Sequence, residues 1–279
     1  MGDREEALRR VRDALPRWQQ GDCVLGGEVV LRSCPTRSPA KDREPHGDAG
    51  ADGRYLAVSV KGFVVVSQTC DVIRDPADRP WVEVAALTEV SPEVLRQVRR
   101  ARRPRYVFVP ALEERRLVGD LDLVMTVEKN CLCEWERVRG CVTTREARRF
   151  AWSVARKRGR PAFPDDFVET VRDLLGRIRE KSGRNSPEGR AIDALREIRV
   201  TASPSWHSEE ISLFFHFILE EDDPAQLAGG EKHVEAWLDR VKPAGRYVKR
   251  EGILCTLEDV TAREYVNSEP LDLEYLSLE

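Results

Sequence analysis

The chain has 279 residues, enough to bury a sizeable core as one large domain or two small ones. Its 46 basic and 49 acidic residues nearly cancel, so any electrostatic role must come from local segregation and not from the net charge of −3. No run of 18 apolar residues exists and the opening Met-Gly-Asp-Arg-Glu-Glu has no apolar core, so neither a transmembrane helix nor a signal peptide is expected; a cytoplasmic protein is expected, with its seven scattered cysteines mostly reduced.

Asp3 is placed to cap a first helix with Ala7, Leu8, Val11, Ala14 and Leu15 as its apolar stripe, ended by Pro16 and Trp18. Short strands are predicted at 21–25 and 28–31. Residues 32–53 are rich in Pro, Gly, Asp, Arg and Ser and read as a mobile surface loop. Tyr55 to Val60 and the β-branched or aromatic run Phe63 to Val66 are separated by Lys61 and Gly62 only, which suits a tight hairpin with a buried second strand. Further strands are predicted at 81–87, 105–109, 116–118 and 124–127. Between them, Ser91 followed by Pro92 opens a helix to about Ala101. Many short strands with one intervening helix predict a small closed β structure.

From Thr143 the apolar period becomes helical. Thr143 and Glu146 fit a capping box, with Ala147, Phe150, Ala151 and Val154 on one face. A second helix carries the stripe Phe167, Val168, Val171, Leu174, Leu175 and Ile178, and Ser186 with Pro187 starts a third. The last stretch reads as α+β. Ile198, Val200 and Ala202 alternate with polar residues, and Ile211, Leu213, Phe215, Phe217 and Leu219 share one strand face. A helix with Val234, Trp237, Leu238 and Val241 follows, then a strand at 252–255, a short helix capped by Thr256 and Asp259, and a closing segment Leu271 to Leu276. The expected fold is α+β: an SH3-like β-barrel with an N-terminal helix over 1–142, a helical connector over 143–196 and an α+β domain over 197–279.

The order of pieces from Trp18 to Ser91 resembles the MazF/PemK family of toxins. Gly21-Asp22-Cys23-Val24 stands where that family has its Gly-Asp-Ile-Val-type strand, Val65-Val66-Ser67 matches its Val-Leu-Ser-like triplet, and Val84-Ala85-Ala86-Leu87-Thr88 is similar to its Val-Ala-Pro-Ile-Thr-like strand. The resemblance implies the SH3-like barrel and the cleavage or binding of single-stranded RNA. It also implies a catalytic pair, an arginine in the loop before the third strand and a Thr or Ser near the end of the strand after it. Thr88 fits the second role; Arg54 is the nearest arginine for the first, with 55–61 intervening. The cluster Ser67-Gln68-Thr69-Cys70-Asp71 departs from those toxins and resembles a motif of uncharacterised bacterial proteins, some linked to phage-defence or toxin loci.

That polar cluster at the end of a buried strand is the predicted chemical site, since the strand fixes a loop that carries hydrogen-bonding groups. Cys70 reads either as a nucleophile or ligand, with Arg74 near enough to stabilise a thiolate, or as a small buried cysteine beside turn-forming Ser67 and Asp71. In an RNA-cleaving reading the 2′-hydroxyl attacks, Thr88, Ser67 or Asp71 handles the proton, and Arg74 or Arg54 offsets the phosphorane charge. Cys131-x-Cys133 with Cys141 lacks the spacing and the local fourth ligand of a zinc site, and no metal or other cofactor is expected. His216 reads as a semi-exposed structural histidine.

Charge segregation is the stronger signal. Arg96, Arg99, Arg100, Arg102, Arg103 and Arg105 form one cluster, and Arg145, Arg148, Arg149, Arg156, Lys157, Arg158 and Arg160 a second. Arginine suits bidentate phosphate contact, and such patches supply sequence-independent affinity for nucleic acid; a solvated helix face is the alternative. Glu209, Glu210, Glu220, Glu221, Asp222 and Asp223 flank one strand, and seven acids follow from Glu258, so these either dock on the basic patches within the molecule or in a homodimer, or keep the C-terminal domain off nucleic acid. The expected function is that of an intracellular bacterial nucleic-acid-binding protein, single-stranded RNA favoured, acting as a toxin-like or phage-defence endoribonuclease. The alternatives are a non-catalytic adaptor that binds a partner protein or small ligand, and a cysteine-dependent enzyme using Cys70.

Overall fold

The computed structural model describes residues 2–32, 55–159, 162–220 and 224–271. The expected loop at 32–53, apart from Arg32, lies outside them, as do Arg54, Arg160, the acids 221–223 and all of the closing segment but Leu271. The chain is mixed α+β and forms two compact units, dividing after Gly159.

In the first unit, α1 (Gly2–Ala14) leads through a single 3₁₀ turn containing Pro16 to β1 (Cys23–Leu25) and β2 (Glu28–Arg32). There follow β3 (Tyr55–Ser59), β4 (Gly62–Val65), the one-turn α2 (Thr69–Val72), β5 (Trp81–Glu89), α3 (Pro92–Arg99), β6 (Tyr106–Phe108), β7 (Leu117–Glu128), the short α4 (Cys131–Glu134) and α5 (Thr144–Arg158). Asp3 lies inside the first turn of α1 and not ahead of it. Ser91 caps α3 by accepting from the Val94 amide, and Thr143 and Glu146 form the capping box of α5.

Five strands in the order β1-β4-β5-β7-β6 make a curled antiparallel half-barrel, with β1 and β6 at its two edges. The expected hairpin between 55–60 and 63–66 does not form. Instead β3 pairs with β2, Val29 opposite Val58, while β4 pairs with β1 and β5, Phe63 lying between Val24 and Ala86. Gly62 permits this crossing: its φ is +145°, and a Cβ there would stand 2.0 Å from the Val24 carbonyl oxygen. The two strands expected at 116–118 and 124–127 are one strand, β7. Its register against β5 jumps between Ala85 and Ala86, so that residues 121–123 bulge.

Both faces of the half-barrel are covered, which is why the run 63–66 is continuously apolar. Val64, Val66, Ala85 and Leu87 pack with Phe150 and Val154 of α5; Phe63, Val65, Val84 and Ala86 pack with Val11, Leu15 and Trp18 of the N-terminal segment. The helix 144–158, expected in a connector, therefore closes one face of the first unit.

The second unit holds α6 (Asp165–Lys181), α7 (Pro187–Ala194), β8 (Leu195–Ser203), β9 (Ile211–Leu219), α8 (Pro224–Leu238), β10 (Tyr247–Cys255), α9 (Ala262–Asn267) and β11 (Glu269–Pro270). The sheet order is β10-β9-β8-β11, with β9 and β10 parallel across the α8 crossover. Ile211, Leu213, Phe215, Phe217 and Leu219 all face one core with Phe167, Leu174, Ile178 and Trp237, as their alternation requires. The helix expected after Thr256 begins later, because Thr261 and Glu264 form its capping box; Thr256 and Asp259 close a turn ahead of it.

Candidate functional site

At the end of β4 the backbone of Val66 and Ser67 still bonds the Glu83 carbonyl of β5, and Ser67 Oγ accepts from the Glu83 amide at 2.8 Å. Ser67 is thus committed to holding the turn. Thr69 Oγ1 accepts from the Gln20 amide at 3.1 Å, and the Gln20 side chain donates to the Val66 carbonyl at 2.9 Å. Asp71 faces Arg74 across 3.7 Å, both half-exposed. Cys70 is exposed, in contrast to the small buried cysteine considered above, and its Sγ lies 3.6 Å from Gln68 Oε1. Thr88 is not with them. It sits near the other end of β5, five residues beyond Glu83 and so about 16 Å along the strand. Ser67, Cys70, Asp71 and Arg74 share one turn, and Thr88 does not join it.

What organises this turn is Lys129, which sequence reasoning missed. Its side chain is wholly buried, and Nζ donates to the carbonyls of Asp71 and Arg74 at 2.8 and 2.7 Å. A lysine at a strand end in Glu-Lys-Asn reads as solvated surface, so nothing in the local sequence marks it. Burial pulls its pKa below the usual lysine value, opposed by the nearby charges of Asp71 and Asp75. Arg12 grips Asp75 with two hydrogen bonds of 3.0 and 3.1 Å, fastening α1 to the same turn.

The basic clusters behave differently. Arg105 is bound by buried Asp120 at 2.7 Å and by Asp122 at 3.4 Å. Arg103 donates to Gln97 at 2.6 Å, Arg158 to Glu83 at 2.6 Å, and Lys157 to Asp122. Arg156 donates to the Ala101 carbonyl at 2.6 Å, which fixes α5 beside the turn that ends α3. Arg100 and Arg102 also have partners within the chain. Exposed Arg96, Arg145, Arg148 and Arg149, by contrast, have no carboxylate partner among the described residues.

Between α3 and α5 lies a pocket of about 210 Å³. Val98, Ala101, Phe108, Pro110 and Phe150 give it an apolar lining. Its charged rim is Arg99 from the first cluster and Arg145 and Arg149 from the second, with Glu113 and Glu146 among them. Neither acid is idle: Glu113 pairs with Arg99 at 3.0 Å, and the Glu146 carboxylate accepts the Val142 and Thr143 amides at 2.7 and 2.9 Å. Those two amides hold the Glu146 carboxyl below its ordinary pKa. The two arginine-rich segments, about 40 residues apart in sequence, thus meet around one concavity.

In the second unit Arg199 of β8 is buried, donating to Ser268 Oγ at 2.8 Å, Glu197 at 3.2 Å and the Tyr265 carbonyl at 2.9 Å, with its guanidinium 4.0 Å over the Tyr265 ring. His216 on β9 lies opposite Arg199 and is 4% exposed, not semi-exposed, and its Nδ1 has no hydrogen-bond partner among the described residues. Burial lowers its pKa and the Glu264 charge opposes that shift.

Cys141 and Cys255 are buried, which pushes their thiols up to about 11 and about 12, away from nucleophilic use; burial also raises Cys23, Cys131 and Cys133. Among the described residues no group of three or more His, Cys, Asp and Glu is arranged to hold a metal, and no helix is long and apolar enough to cross a membrane. Comparisons of the chain with protein-family models, with curated proteins and with solved structures found no match.

Proposed function

We propose that the first unit binds nucleic acid, single-stranded RNA in particular, through the arginine face shared by α3 and α5. The observation that carries this reading is the meeting of Arg99, Arg145 and Arg149 around one pocket, with Arg96 and Arg148 exposed and without carboxylate partners among the described residues. Arg96 lies on α3 one turn before the Glu113-paired Arg99, and Arg145, Arg148 and Arg149 share a turn of α5, so the charges of Arg96, Arg145, Arg148 and Arg149 can follow a phosphate backbone. Neutralising phosphates releases counterions, which gives binding a defined salt dependence. An RNA-cleaving centre is not part of this reading, since Ser67 is engaged with Glu83 and Thr88 stands apart.

A salt series of fluorescence-polarisation titrations with labelled single-stranded RNA tests it. Affinity should fall linearly with log salt, and replacing Arg145, Arg148 and Arg149 together by Ala should make the slope shallower by about 2, at roughly 0.7 per phosphate contact. Absence of salt-sensitive binding by the full chain rejects the reading. It would favour the adaptor role instead, for which exposed Ile73 and Trp81, both beside the Lys129 anchorage, offer an apolar contact.

A further inference from the structure

We propose that the pocket between α3 and α5 receives one unpaired nucleobase, with the attached phosphate held by Arg145 and Arg149. This rests on the nucleic-acid reading above and specifies what the strand inserts. The pocket's chemistry is divided: an apolar lining that includes Phe108 and Phe150, and a guanidinium rim on the α5 side. A nucleotide has the same division, a flat ring on one side and a phosphate on the other. The volume of about 210 Å³ is below the roughly 300 Å³ at which drug-sized ligands begin, which suits one ring system and not a stacked pair.

Duplex nucleic acid keeps its bases paired and stacked, so only an end, a loop or an extruded base can enter. Of the two rim carboxylates, Glu113 is paired with Arg99, and Glu146 stays ionised against the Val142 and Thr143 amides, so the two guanidinium charges of Arg145 and Arg149 outweigh it on the α5 side. An aromatic phosphopeptide would satisfy the pocket but leave Arg96 and Arg148 without a role; a polyanionic strand running past the pocket uses both.

Two substitutions separate the pocket from the charged face. Ser153 lines the pocket from α5 without carrying charge, so Ser153→Phe fills it while every arginine remains. Arg145→Ala with Arg149→Ala removes the phosphate contacts and leaves the cavity open. In competition with a labelled single-stranded oligoadenylate on the full chain, 5′-AMP should displace the probe, and adenosine and inorganic phosphate should each be weaker by about tenfold or more. Ser153→Phe should abolish AMP competition, reduce the preference for single-stranded over duplex RNA, and retain salt-sensitive strand binding; the double arginine variant should lose AMP as well. If the oligonucleotide binds with its salt dependence but AMP does not compete and Ser153→Phe changes nothing, the pocket inference is overturned and the nucleic-acid reading survives. If neither oligonucleotide nor AMP binds, both fall. Displacement by a tyrosine phosphopeptide better than by AMP also overturns the inference.

Discussion

The Arg156 guanidinium donates to the backbone carbonyl of Ala101, 55 residues away, and this bond ties α5 to the turn that ends α3. Ala101 is itself in the left-handed region, with φ of +52°, where a Cβ is unfavourable by about 1–2 kcal/mol. Ala101→Gly removes that strain at the expense of greater unfolded-state freedom, so it should stabilise the first unit by up to about 1 kcal/mol. Arg156→Ala should do the reverse: a lower melting temperature and weaker RNA binding, although no exposed arginine is removed. Paired denaturant melts and polarisation titrations check both.

Lys129 holds the turn 67–75 through two backbone carbonyls, and its ammonium supplies charge-assisted bonds in a buried place. Lys129→Met keeps the stem and deletes the donors, leaving two carbonyls unsatisfied. A loss of about 2–4 kcal/mol is expected, at about 1–3 for each orphaned group with partial access to water. The same variant should loosen the turn, so Cys70 should react faster with iodoacetamide and the amides of 69–75 should exchange sooner. An unchanged exchange pattern would show that the turn stands without Lys129.

Local signals in the chain were readable where a few neighbouring residues determine the outcome. Ser91 with Pro92, Thr143 with Glu146 and the alternation from Ile211 to Leu219 each placed its element correctly, because capping and strand alternation depend only on near neighbours. Pairing was not readable. Tyr55 to Val60 next to Phe63 to Val66 looks like a hairpin, but β4 lies instead between β1 and β5, a choice made by two packed faces and by Gly62 against Val24. The candidate site divided in the same way. Arginine clustering was visible as composition, while Lys129, the Arg156 bond and the commitment of Ser67 to Glu83 are long-range contacts with no local signature.

His216 makes the second unit sensitive to mild acid. It is buried, with Arg199 on β8 and Ile253 on β10 opposite it, Phe214 on its own strand and Glu264 on α9. Burial, the larger effect, lowers its pKa below the usual 6.5, and Arg199 acts in the same direction; Glu264 only partly offsets them. The unfolded chain therefore takes up a proton near pH 6.5 that the folded chain refuses. Stability is full above that pH and declines as pH falls toward the lowered folded value, by up to about 1.4 kcal/mol per pH unit for one proton. His216→Phe should remove this decline between neutral pH and about 5.5, leaving the background from other histidines. Guanidinium melts of both proteins at the two pH values measure the difference; equal slopes would place His216 outside the acid response.

Arg105 separates structural arginines from binding ones. It lies in the first cluster, yet Asp120, 2% exposed, binds it through two nitrogens and also accepts the Asp122 amide that shapes the β7 bulge. This pairing raises the Arg105 pKa further, so the guanidinium stays charged and the pair is permanent. Arg105→Ala strands a buried carboxylate, and a loss of about 2–4 kcal/mol follows from the typical penalty for breaking such a pair, reduced because Arg105 is about one-third exposed. Asp120→Asn should be milder, since the amide still accepts from Arg105. Arg148→Ala should show the opposite signature, with stability within about 0.5 kcal/mol of the parent and a shallower salt slope in RNA binding. If Arg105→Ala instead left stability intact and flattened the salt slope, Arg105 would belong to the binding face after all.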